Sequence, residues 1–167
     1  MTSEVIDALH ASADHEGLFN PCQECFMSLI ARLSSPTTLR RVLAFDAVSG
    51  AGTGVLHLLL APVLASWLGL PEALLQASGV AIFAFVLLAG WLALQALPPR
   101  GPLTVIVLLN VAWALGCVGL AFGVSAAPTA LGVAYLLVQA VAVLVLAELE
   151  WMGLRALART DRQPLAA

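Results

Sequence analysis

The sequence predicts an all-α, polytopic membrane protein of four transmembrane helices in an up-down bundle, with both termini cytoplasmic. Three observations carry this. Of 167 residues 61% are hydrophobic and only 10% charged, against about one-quarter charged in soluble domains. Four apolar runs each exceed the roughly 20 residues a helix needs to cross the hydrocarbon. All seven basic residues are arginines, and none lies inside those runs.

The runs are about 42–68, 73–97, 103–124 and 129–153, separated by the Pro- and Gly-bearing junctions "LGLPE", "LPPRGP" and "SAAP". Short junctions of this kind predict helical hairpins. Arg32, Arg40 and Arg41 precede the first run, Arg100 lies between the second and third, and Arg155, Arg159 and Arg162 follow the fourth. The other two junctions carry no arginine, so the positive-inside rule places both termini and the middle junction in the cytoplasm. The division expected is an N-terminal segment 1–38, a transmembrane domain 39–155 and a tail 156–167, multi-pass in a bacterial inner membrane. Residues 1–26 are polar and acidic, unlike a cleavable signal peptide.

The N-terminal segment holds His10, His15, Cys22 and Cys25. The Cys-x-x-Cys bite lets two sulfurs reach one tetrahedral zinc, but a second well-spaced pair is missing, and no metal or cofactor is expected. A compositional break at Met27 is consistent with a natural start there, with 1–26 an extension. The net charge of -3 reflects acidic residues in this segment, and nothing in the charge pattern predicts a nucleic-acid partner.

Polar groups at membrane depth are costly and usually face protein or water. At 100° per residue, Asp46, Gly50, Thr53, Gly54 and His57 share one face of the first run. Asp46 and His57 are roughly 16 Å apart along the axis. In the fourth run Gln139 and Glu150 have the same separation, with Tyr135 one turn beyond Gln139. Counting inward from Arg41 and Arg155, Asp46 falls level with Glu150 and His57 level with Gln139. If the first and fourth helices are neighbours, two carboxyls meet, and like charges so close share a proton. Glu148 points nearly opposite to Glu150 and is expected near the headgroups, helped by Arg155 or Arg159.

The third run adds Asn110, with Trp113, Ala114 and Cys117 near its face, while Gly116, Gly119 and Gly123 lie round the other side. Small residues let helix backbones approach. Gly50, Gly54, Gly116, Gly119 and Gly123 are therefore expected as helix-packing positions, within the bundle or across a homodimer. Trp67, Trp91 and Trp151 near segment ends read as interfacial anchors.

The stretches "LRRVLAFDAVSGAGTG", "LLNVAWAL" and "APTALGVAYLLVQAVAVLVLAELEWMGLR" resemble a family of small bacterial four-helix integral membrane proteins to which no activity is attached. The resemblance runs from Leu39 to Arg155. It is carried by Arg40, Arg41, Asp46, Ala47, Asn110, the Pro-Thr-x-Leu-Gly run from Pro128, Gln139 and the Ala-Glu-Leu ending. It implies a membrane-embedded helical fold and no chemistry, and by leaving out 1–26 it weighs against that extension.

No catalytic residues are expected. No nucleophile stands beside His57 on its helix, and neither a phosphate loop nor a zinc-protease motif is present. The first expectation is an accessory or interaction subunit of a membrane assembly, in contact with the lipid bilayer and with a second copy or a larger complex. The alternative is a small dimeric transporter or proton-coupled carrier, using the stripe of Asp46, His57, Gln139 and Glu150.

Overall fold

The structure, a computed structural model, describes residues 35–124 and 126–160. The expectations for His10, His15, Cys22, Cys25, Met27 and the end of the tail lie outside the described residues. The fold is all-α: α1 Pro36–Leu59, α2 Ala61–Leu68, α3 Glu72–Leu94, α4 Arg100–Ala121 and α5 Ala130–Thr160. Four of the five (α1, α3, α4 and α5) are long and apolar enough to cross a membrane, and the chain is a multi-pass membrane protein.

Local chemistry explains where each helix begins and ends. Ser35 caps α1 by accepting from the Thr38 amide at 3.2 Å, with Pro36 in the first turn, where a missing N–H costs nothing. The continuous helix expected over 42–68 is instead two helices. At Pro62 the ring would clash with the carbonyl one turn back, and the proline offers no amide to it. The chain therefore leaves helical geometry at Leu60 (φ -114°, ψ 18°) and restarts as α2. Gly69 ends α2 in the left-handed region (φ 67°), its amide donating to the Ala65 carbonyl at 3.0 Å. Helix α3 stops at Leu94, short of the expected 97, ahead of Pro98 and Pro99. Helix α4 starts at Arg100 rather than 103, because a proline ahead of the first turn is compatible with a helix start. Gly123 (φ 75°) closes α4 beyond Phe122. Thr129 begins α5 by accepting from the Gly132 amide at 3.1 Å, and α5 runs past the expected 153 to Thr160.

The closest helix pairings are α1 with α3 and α4 with α5, while α1–α5 and α3–α4 touch more lightly. Gly50 and Gly54 face α3, where an added Cβ would stand 3.1 Å from Val86 and Phe83 respectively. Two apolar clusters fill the interior. One, around Leu39, Leu43, Leu92, Leu103, Ile106 and Leu154, gathers the arginine-bearing ends. The other, around Ala61, Leu68, Leu75, Ala114, Cys117, Leu136 and Ala140, gathers the opposite ends.

Arginines tie the first end together. The Arg40 Nε donates to the Ala93 carbonyl at 2.9 Å, and an Arg100 Nη donates to the Leu157 carbonyl. Each cation thus meets carbonyls left free in the last turn of a neighbouring helix, where the macrodipole favours positive charge. At the other end Thr129 joins α5 to α2: its hydroxyl donates to the Trp67 carbonyl at 2.6 Å and its amide to the Leu68 carbonyl at 2.9 Å.

The outer faces are apolar, with Val48, Leu59, Leu87, Leu94, Leu115 and Val138 exposed, as a hydrocarbon surround demands. Trp67 and Trp91 are exposed as well. Gly116 faces open space, Gly119 nears only Val124 of its own chain, and Gly123 lies outside α4, so these three make no helix contact within the chain. Besides Gly50 and Gly54, three other helical glycines admit close approach. At Gly79 a Cβ would stand 2.9 Å from Leu58, at Gly153 2.7 Å from Leu39, and at Gly132 it would overlap the Leu68 carbonyl oxygen.

Candidate functional site: a buried carboxyl pair on a membrane cleft

On α1, α4 and α5 the buried stripes are mostly apolar, and three of the four buried polar side chains among the described residues fall at one level. Asp46 follows Leu39 and Leu43, Asn110 stands between Ile106 and Ala114, and Glu150 between Ala147 and Leu154. The three are at most 4% exposed, and Glu150 is fully buried. The Asn110 Nδ2 donates to Asp46 Oδ2 at 2.8 Å and to Glu150 Oε2 at 3.1 Å. One neutral amide thereby spends both its N–H groups on two carboxyls from two other helices. Sharing that one nitrogen makes the two carboxyls neighbours. Glu150 Oε1, buried, meets no donor. No arginine or histidine among the described residues reaches either group.

A second polar layer lies toward the arginine-free end. The His57 Nε2 is 2.7 Å from the Tyr135 hydroxyl and its Nδ1 2.8 Å from Ser78 Oγ. Gln139 Nε2 donates to the Tyr135 oxygen at 2.5 Å, and Trp113 Nε1 donates to Gln139 Oε1 at 3.1 Å. These fixed donors settle the rest. With Tyr135 accepting from Gln139 and the Ser78 hydroxyl committed to the Leu75 carbonyl, every proton finds an acceptor when the Tyr135 O–H donates to His57 Nε2. His57 then carries its proton on Nδ1 and donates to Ser78, whose hydroxyl donates to the Leu75 carbonyl at 2.7 Å. With that tautomer the chain of bonds runs in one sense from Trp113 to Leu75.

The expected levels therefore meet through intermediaries. Asp46 and Glu150 come together with Asn110 between them, and His57 reaches Gln139 only by way of Tyr135. Ser78 had no sequence signal beyond being a hydroxyl in an apolar run. Glu148 is exposed, and no described residue bonds to it. Arg155 lies with its Cζ 5.0 Å from the centre of the Trp151 ring rather than on Glu148, a cation–π arrangement.

A cleft of about 860 Å³ opens on the carboxyl layer, with walls from α1, α3, α4 and α5. Asp46 and Asn110 line it together with Phe45, Ser49, Phe85, Trp113 and Gln139, whereas Glu150 stands behind the wall. A smaller cavity of about 340 Å³ carries His57, Ser78 and Tyr135. Trp113 and Gln139 belong to both walls, so their mutual hydrogen bond stands as a partition between the two spaces. Among the described residues no group of His, Cys, Asp and Glu could hold a metal ion. Comparison with protein-family models, with curated proteins and with solved structures gives no match for this chain.

Proposed function

We propose that this chain is a small proton-coupled membrane carrier, acting as a homodimer in a bacterial inner membrane. One observation carries the reading: a buried pair of carboxyls held by a single neutral amide, one of them on the wall of a cleft in the membrane-spanning region. Two adjacent carboxylates at low dielectric cannot both stay charged without a counter-ion, so the pair holds a proton or exchanges it for a cation. An accessory subunit has no need of such a cost in its core. The loose seam between the α1/α3 and α4/α5 pairs supports the same reading, since carriers commonly work by rocking one helix unit against another around a fixed site. The Trp113–Gln139 partition would be the point that opens when the cleft changes side.

The arginines among the described residues gather at one end of the fold, and by the positive-inside rule that end faces the cytoplasm. With Cys22, Cys25 and Cys117 replaced by alanine, a cysteine at Glu72 is expected to react with an impermeant maleimide in intact cells. One at Gly101 is expected to be protected until the membrane is opened. Reaction at Gly101 from outside would reverse the orientation.

The carrier reading is tested in proteoliposomes with an imposed pH gradient and a lumenal pH dye, challenged with organic cations, organic acids, sugars and amino acids. At least one class is expected to collapse the gradient, and Asp46→Asn to remove the response. No response to any class overturns the reading, and a stoichiometric foreign protein carried through purification would favour the accessory-subunit role.

A further inference from the structure

We infer that the cleft binds a lipophilic monovalent organic cation, which takes the place of one proton on the Asp46–Glu150 pair. The inference rests on the carrier reading for its purpose, but the binding site stands or falls on its own geometry.

The cleft's charge and hydrogen-bonding character point to a cation. Among the described residues, Asp46 is the only ionisable group that lines it, and no basic side chain does. The neighbouring polar groups have spent their protons elsewhere. The Ser49 hydroxyl donates to the Asp46 backbone carbonyl at 3.1 Å, and the Thr53 hydroxyl to the Ser49 carbonyl at 3.1 Å. Both N–H groups of Asn110 go to the carboxyls, and the Trp113 N–H goes to Gln139. What these groups leave facing the space is mostly lone pairs, which repel anions.

Size and apolarity select the kind of cation. At about 860 Å³ the cleft falls in the roughly 300–1,000 Å³ range of organic-ligand sites. It is far too large to replace the hydration shell of a sodium ion, and the described residues offer no cluster of ligands for a metal. Phe45, Phe85 and Trp113 add aromatic faces, which attract organic cations that shed little water.

Proton balance follows from which carboxyl faces the cleft. With both groups protonated the pair is neutral. A cation settling beside Asp46 takes the place of its proton, which leaves to water, and no other bond is made or broken. Glu150 keeps its own proton, and its carboxylic O–H has the new Asp46 carboxylate as acceptor. This gives a donor role to Glu150, whose Oε1 has no partner among the groups around it. One cation bound is thus one proton released.

The test uses the purified full chain in detergent with tetraphenylphosphonium, followed by calorimetry in buffers of different ionisation enthalpy. Saturable binding above that of empty micelles is expected, with one proton released per cation and an affinity that falls about tenfold per unit of falling pH. Asp46→Asn is expected to lose binding, and Glu148→Gln to bind as the wild type does. Should Asp46→Asn fold poorly, Ala142→Trp fills the cleft while leaving the carboxyls in place and must also abolish binding. Equal binding of tetraphenylborate, which has the same shape and opposite charge, would reduce the cleft to a greasy surface and overturn the assignment. So would proton release by sodium alone, or no saturable binding to folded protein. If tetraphenylphosphonium fails while another class collapses the liposome gradient, the carrier reading survives and the cation assignment falls. If it binds with proton release but no gradient responds, the site holds and the carrier reading falls.

Discussion

Replacing Asn110 by leucine is expected to cost about 3–5 kcal/mol of stability in detergent, the largest loss foreseen for any single polar side chain here. Two hydrogen bonds to buried carboxyl groups disappear together, and each buried acceptor stripped of its donor costs roughly 1–3 kcal/mol. Leucine keeps the branched shape of asparagine but is larger, so at this buried position crowding adds to the loss of polarity. Adding Glu150→Gln to Asn110→Leu should recover part of the deficit, because the new amide at 150 can donate to Asp46. In the wild-type background Glu150→Gln should preserve or raise stability. Combined with Asp46→Asn it should depart from additivity by roughly 0.5–3 kcal/mol, as expected for groups in contact. Glu148→Gln should be nearly neutral and additive with both. Thermal unfolding followed by tryptophan fluorescence reads all of these. Additive Asp46 and Glu150 variants would mean that the carboxyls share no proton, removing the main support for the carrier reading.

Gly132→Ala is expected to be the most damaging of the glycine substitutions, at or above the upper end of the about 1–3 kcal/mol typical of overpacking. The added methyl would overlap the Leu68 carbonyl oxygen, with the carbonyl carbon at 2.9 Å and Pro128 Cβ at 3.1 Å. A flexible side chain could move aside, but this obstacle is backbone. The carbonyl is held by the Thr129 amide at 2.9 Å, and the preceding Trp67 carbonyl by the Thr129 hydroxyl. Relief therefore requires α2 and the start of α5 to part. Gly116→Ala supplies the contrast: nothing stands within 4 Å of its Cβ position, and alanine inside a helix gains roughly 0.5–1 kcal/mol over glycine. A loss at Gly116 in the purified oligomer would show that a second copy covers that face. A mild effect at Gly132 would show that the α2–α5 contact is not a fixed part of the fold.

Hydropathy and charge alone determined the class of this molecule. A long apolar run has few ways to satisfy its backbone in hydrocarbon other than as a helix, so four spans could be read directly. The seven arginines marked their ends because cations are excluded from the span. The polar positions Asp46, His57, Asn110, Gln139 and Glu150 stood out for the same reason, and helical phase put them on faces.

Phase does not say which helices meet. In a soluble helix the polar side marks the outside, but here the lipid-facing side is as apolar as the core. Only rare polar or small residues betray a packing face, so Gly116 and Gly119 drew notice although they make no contact within the described bundle, while Gly79, Gly132 and Gly153 went unread. The break at Leu60 came from Pro62, a local signal hidden inside an unbroken hydrophobic run. That Asn110 bridges the two carboxyls, that Tyr135 stands between His57 and Gln139, and that Ser78 completes their network were decided by the tertiary structure. Apart from the Tyr135–Gln139 bond within α5, these contacts join residues on different helices, and their meeting depends on the rotation of every helix about its own axis, which packing sets and composition does not.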